Sequence, residues 1–170
     1  MAPPLNTSTH ASADAFLSMS GKRQGAIKGE CKSTGHVDEI TVVGWQWGVS
    51  APTAVGSGQA TGRRVYEALV ITKHIDAAST KLMAALTTNE EIKSAKLSLR
   101  KAGLAADDFM TIELGQARVT GLHIDFTDDG STREILKITY QKIEVNYHPQ
   151  LTGGGKAGSM SFTDDIGPQS

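Results

Sequence analysis

Residues 39–50, EITVVGWQWGVS, hold both tryptophans of a 170-residue chain that is only 5% aromatic. The run is rich in strand-forming residues. From Val43 on, apolar side chains fall at alternate positions: Val43, Trp45, Trp47 and Val49. Gly44, Gln46 and Gly48 then point to the opposite face. Two large rings suit a core, whereas two glycines and an amide suit a face that something approaches closely. The pattern predicts a strand anchored by Trp45 and Trp47 with an open side at Gly44, Gln46 and Gly48.

Outward from this strand the chain reads as mainly β. The run AFLSM at 15–19 predicts a first strand, and 27–31 resumes after a turn at 21–25. Residues 51–64, APTAVGSGQATGRR, carry three glycines and one proline with almost nothing to bury, which predicts a long functional loop or linker. Strands follow at 66–71, 92–100, with Ser98 and Arg100 outward, and 109–114. One helix is expected over 77–86, capped by Asp76, striped by Leu82, Met83 and Leu86, and ended by a left-handed Asn89.

The apolar phase slips between Val119 and Leu122, and again between Tyr140 and Ile143 within what reads as one last strand. Slips of this kind are what β-bulges produce, and bulges bend a sheet toward closure. The expected fold is a closed or nearly closed β-barrel of two curled antiparallel sheets with one flanking helix. Its expected organisation is a flexible tail at 1–13, one domain at 14–150 with the extended loop 51–64, and a flexible tail at 151–170.

Composition narrows the function. Seventeen basic against eighteen acidic residues give no support for nucleic acid or an anionic membrane as a partner. No apolar run approaches the ~20 residues of a spanning helix. Residues 1–20 lack the basic start and unbroken apolar stretch of a signal peptide, so export by that route is not expected. The single cysteine, Cys31, excludes an internal disulfide; a buried, inert thiol is the more usual reading, and a surface thiol pairing two chains is the alternative.

Neither a catalytic nor a metal site is expected, and no cofactor. The five histidines are scattered, and no nucleophile elbow or phosphate-cradling loop is present. Ser98 and Lys101 have the spacing of a Ser-x-x-Lys pair, but an alternating strand would aim them to opposite faces. The pairs Asp107–Asp108, Asp128–Asp129 and Asp164–Asp165 read as solvated turn or tail residues.

Six short motifs resemble one family in order along 14–150: Ile27-Lys28-Gly29-Glu30 with His36, Glu39-Ile40, Trp45-Gln46-Trp47-Gly48-Val49-Ser50, Ile71-Thr72-Lys73-His74-Ile75-Asp76, Leu99-Arg100-Lys101-Ala102-Gly103 and Lys142-Ile143-Glu144-Val145-Asn146-Tyr147. The chain resembles the Hcp family, the tube-forming proteins of bacterial type VI secretion systems. The resemblance implies a β-barrel assembled as a homo-hexameric ring with a central channel. Stacked rings form a tube that works with a contractile sheath and spike proteins and carries small effector proteins in its lumen. It also implies assembly in the bacterial cytoplasm and exit through the machine without a signal peptide.

By position, 51–64 matches the loop that reaches the next ring, with Ala51, Pro52, Gly56, Gly58, Gly62, Arg63 and Arg64 as its stacking residues. Gln46, flanked by Gly44 and Gly48, matches the channel-facing position, where familiar members have serine. The alternative reading is a monomeric β-barrel that binds a small ligand in a hollow interior.

Overall fold

The computed structural model describes residues 12–101, 107–149 and 158–167. Among them the chain forms, in order, β1 (Ala13–Gly21), β2 (Gly25–Ile27), β3 (Ile40–Val42), β4 (Gly44–Gln46), β5 (Val49–Ser50), β6 (Val65–Tyr66), β7 (Leu69–Lys73), α1 (Ser79–Thr87), β8 (Ile92–Lys101), β9 (Met110–Phe126), β10 (Thr132–Thr139), β11 (Lys142–Tyr147) and β12 (Met160–Asp165). Ala102 and Gly103 of the quoted motif, all but the last two residues of the expected N-terminal tail, and residues 151–157 and 168–170 of the expected C-terminal tail lie outside the described residues.

All pairings are antiparallel, and two sheets share β9. One runs β2–β1–β8–β9–β11–β12 and the other β9–β10–β7–β4. A 17-residue strand serves both because it bends twice. Gln116 takes a left-handed φ of 48° between the pairs Ser94–Gly115 and Ile92–Ala117. Thr120 is then skipped between Val119–Ile138 and Gly121–Lys137. The second bend is the slip expected near Gly121.

The core is aliphatic. Leu17, Ile40, Leu69, Ile71, Leu97, Leu136 and Ile138 have no exposed surface. Fully burying a side chain of this kind contributes about 1.5–3 kcal/mol. These side chains occupy the interior that a small-ligand barrel would need to keep empty. Helix α1 presents Ser79, Leu82 and Ala85 to the core, with Met83 and Leu86 half-buried. It starts later than expected, because Asp76 caps from outside: its Oδ1 accepts from the Ala78 N–H at 3.0 Å. Asn89, at φ 51°, ends it as expected.

The helix start is tied down by a buried polar cluster. Lys73 and Glu134 are both fully buried, with Nζ 2.9 Å from Oε2. Lys73 Nζ also lies 2.9 Å from Asp76 Oδ1, and the Ser79 hydroxyl donates to Glu134 Oε2 at 2.6 Å.

The strand expected at 27–31 is instead the short β2, Gly25–Ile27, and the one expected at 66–71 is split into β6 and β7. Four further expectations need correction. Val43 does not share a face with Trp45: it is 54% exposed, and Val49 is 46% exposed. The parity changes at Val43 because Ile40–Val42 pairs with β1, while Gly44–Gln46 pairs with β7. Ser98 and Arg100 are buried rather than outward. The segment 28–39 folds over the outer side of β1 and β8, where the Arg100 guanidinium sits 4.8 Å from the Phe16 ring and donates to the Thr34 carbonyl at 2.8 Å. That segment lies flat because residue 29 is glycine: a Cβ there would sit 2.5 Å from the Glu39 carbonyl oxygen. Cys31, within it, is buried as expected.

The third correction concerns the last strand, which is two. The chain breaks at Gln141, so β10 joins β7 while β11 joins the first half of β9. The fourth concerns the C-terminal segment, where Met160–Asp165 is a strand in register with β11 from Lys142–Asp165 to Tyr147–Met160. Asp164 and Asp165 thus stand on a strand rather than in a turn or tail.

Candidate functional site

The open strand face forms where β4 meets β7. Trp45 opposes the fully buried Ile71 and turns inward, while Gln46 opposes Val70 on the outer side and is exposed. Trp45 and Trp47 are half-buried and pack on the core. The Trp47 indole N–H donates to the Tyr140 hydroxyl, which in turn donates to the Glu67 carbonyl at 2.8 Å. Burial pushes the Tyr140 phenol up, and the Trp47 hydrogen bond works against it. Both rings thus pack on the core while Gln46 between them stays exposed.

The two glycines differ. A Cβ at Gly44 would meet Thr72 at an ordinary 3.6 Å, whereas one at Gly48 would press on the Glu67 carboxylate at 2.9 Å. Gly44 thus leaves the wall low with room to spare, and Gly48 makes space for Glu67.

The segment after this strand is a ribbon rather than an irregular loop. Val49 pairs with Tyr66 and Ser50 with Val65, and a further bridge joins Thr53 to Ala60. The Ala54 N–H donates to the Gln59 carbonyl at 3.0 Å, closing the turn. Gly56, Gly58 and Gly62 take left-handed φ values of 90°, 66° and 72°, which branched residues adopt only with strain. Ala51 is half-buried; Pro52, Arg63 and Arg64 are exposed, and Val55 at the tip is fully so.

The root of the ribbon is fixed by side chains that sequence reasoning missed. The Tyr66 ring sits 6.3 Å from Trp47. The Tyr66 hydroxyl donates to Asp164 on β12, and that hydrogen bond is the main reason its phenol is pushed up to about 12. Tyr66 and Tyr140 carried only a strand-pattern signal. Asp164 carried none, because its strand is exposed throughout and has no buried side to read.

Other chemistry-bearing residues do not converge on this face. His36 is clamped between Glu39, 2.6 Å from Nδ1, and Asp108, 2.8 Å from Nε2, with its ring stacked on Phe16 at 4.2 Å. Buried Ser98 and exposed Lys101 point to opposite sides of β8. Asp129 caps its turn by accepting from the Ser131 N–H at 3.0 Å, and its carboxyl is lowered to about 2, chiefly by the Thr127 hydroxyl. Among the described residues no group of three His, Cys, Asp or Glu side chains is placed to hold a metal.

Similarity to known proteins follows the same architecture. The family described as "Type VI secretion system effector, Hcp" matches residues 16–147. The chain is 30% identical over 159 residues to the "Major exported protein" of Pseudomonas aeruginosa, covering 82% of this chain and 92% of that one. It is also 30% identical over 138 residues to "Protein hcp1" of the same organism, covering 79% and 85%. Among solved structures, a "type six secretion system protein" superposes with a TM-score of 0.80 at 20% identity, covering 91% of this chain and 96% of that one. A mutant of the Hcp1 protein from the E. coli EAEC 042 pathovar reaches 0.76 at 24% identity, covering 91% and 99%. The chain belongs to the Hcp family of type VI secretion proteins.

Proposed function

We propose that this protein is a structural subunit of a type VI secretion tube, built as a hexameric ring that stacks through the ribbon 51–64 and carries small effector proteins along the Gly44–Gln46 face. Family membership supports the tube-subunit role and export with the machine. The feature of this chain that carries the assembly reading is the ribbon. It pairs at its root and leaves Val55 fully exposed at its tip, which suits contact with a partner. The partner is the next ring of the stack.

Barrel closure belongs to the same reading. Residues 40–46 would complete the circuit β1–β8–β9–β10–β7, a reading supported by the pairing of Ile40–Val42 with β1 and of Gly44–Gln46 with β7. Closure at the Val43 kink would leave no open edge there. A ring built from such barrels uses heterologous contacts, one patch of each subunit meeting a different patch on the next. Sheath, spike and effectors are its expected partners. It catalyses no reaction in this role, and it assembles in the bacterial cytoplasm before passing out through the machine.

Size-exclusion chromatography with light scattering tests this directly. The expected particle is about six times the 18.0 kDa chain. A stable monomer at micromolar concentration would reject it.

A further inference from the structure

We propose that Lys137, on the strand row of Gln46, is a cargo contact that selects proteins with acidic surfaces; this rests on the reading that the Gly44–Gln46 face lines the channel.

The strand register shows how far that face extends. Directly opposed residues of an antiparallel sheet share a side. One row therefore runs Gln46, Val70, Lys137, Gly121, and the next runs Gly44, Thr72, Ile135, His123. A third holds Arg133 opposite Asp125. The alternating partners Leu69, Ile71, Leu136 and Ile138 are fully buried, so these rows are the outer side of one continuous wall. If Gln46 faces the lumen, Lys137 two strands away faces it too.

The charges on this wall are unequal in what they can do. Arg133 is 2.7 Å from one Asp125 oxygen, and His123 is 2.9 Å from the other. The Arg133 hydrogen bond holds the Asp125 carboxyl below its usual range, so this carboxylate stays charged and compensates the guanidinium. Glu67 stands at the ribbon end, beside Gly48. Lys137 is exposed, and no carboxylate among the described residues lies within ion-pair distance of it. Its stem lies over Gly121, where a Cβ would come within 3.3 Å of the lysine Cδ. The glycine therefore seats the lysine across the neighbouring strand.

A single uncompensated ammonium is a weak site in one subunit. Repeated around a ring and along a stack, it becomes a belt whose contacts act together on one cargo molecule. The occupant that fits is a protein with surface Asp and Glu. Nucleic acid fits poorly, because tight phosphate binding needs many cations, and this wall also carries Asp125 and Glu67.

The test uses assembled rings, with fluorescein-labelled oligoglutamate as the probe and anisotropy as the readout at low and physiological salt. Wild-type rings bind the peptide, and binding weakens as the Debye length shrinks to about 8 Å. Lys137→Gln lowers affinity by about fivefold or more and flattens the salt dependence. Lys142→Gln leaves affinity unchanged; Lys142 also lies over a glycine, but on the other sheet and 4.0 Å from Asp165. Equal binding by wild type and Lys137→Gln, equal losses from both variants, or stronger Lys137-dependent binding of single-stranded DNA would overturn the proposal. The location is read separately, from maleimide-gold on Gln46→Cys in electron micrographs, since the native Cys31 is buried. Gold at the rim would reject the channel reading itself. Gold at the axis, with peptide binding indifferent to Lys137, would reject only the cargo contact.

Discussion

Two buried carboxylates hold this fold in different ways. Glu134 meets Lys73 with neither side chain exposed, so the charges depend on each other and on Ser79 and Asp76. Removing Lys73 leaves the Glu134 carboxylate buried without a cation, which costs about 3–5 kcal/mol, whereas Lys73 without Glu134 keeps Asp76. Lys73→Ala is expected to lose that much in denaturant unfolding, and a loss below about 1 kcal/mol would show the cluster to be well solvated. Glu90 instead reads the β1–β2 turn, accepting from the Arg23 and Gln24 N–H groups at 2.6 and 2.7 Å and from the Gln24 side chain at 2.7 Å. These bonds, the Gln24 side chain first, lower its carboxyl below the usual 4.5. A depressed carboxylate adds stability that is complete above its ordinary value and disappears as pH falls through the lower folded-state value. The melting-temperature gap between wild type and Glu90→Gln should therefore be widest near neutrality and narrow on acidification. A gap that widened in acid would have the wrong sign.

At the scale of elements, the ribbon is the part that can be changed without touching the core. Its tip, Val55, is fully exposed, and its root is pinned by Tyr66 and Trp47. Val55→Asp is expected to leave the melting temperature within about 1 °C and ring size unchanged. It should reduce the stacked pairs and short tubes seen in negative-stain images at high protein concentration. Undiminished stacking would remove the tip from the ring-to-ring contact.

How much of these elements was legible follows from what each depends on. The helix, β8 and the slip near Gly121 could be read because their patterns are local. The parity change at Val43 could not, since it arises from two different neighbours, β1 before it and β7 after it. Arg100 and Ser98 alternate as an outward face should; they are buried because 28–39, seated by Gly29, folds across them. The strand Met160–Asp165 is exposed throughout, so it has no buried side from which a pattern could be read. The open face at Gly44, Gln46 and Gly48 was legible as a face. Its continuation through Val70 to Lys137 needed the register between strands far apart in sequence.

For the whole molecule, the two sheets sharing β9 enclose a filled interior, so the surfaces left for function are outside: the ribbon and the wall of β4, β7, β10 and β9. A wall that is low at Gly44 and polar at Gln46 suits a channel, and a near-neutral charge lets like subunits assemble without strong mutual repulsion. Both features fit the proposed ring. Cryo-electron microscopy of the purified protein is the most direct measurement. The expected image is a six-membered ring with Gln46 pointing to the axis and the ribbon projecting toward the next ring. Isolated monomers, or a ring with the Gly44–Gln46 face on its outer rim, would contradict it.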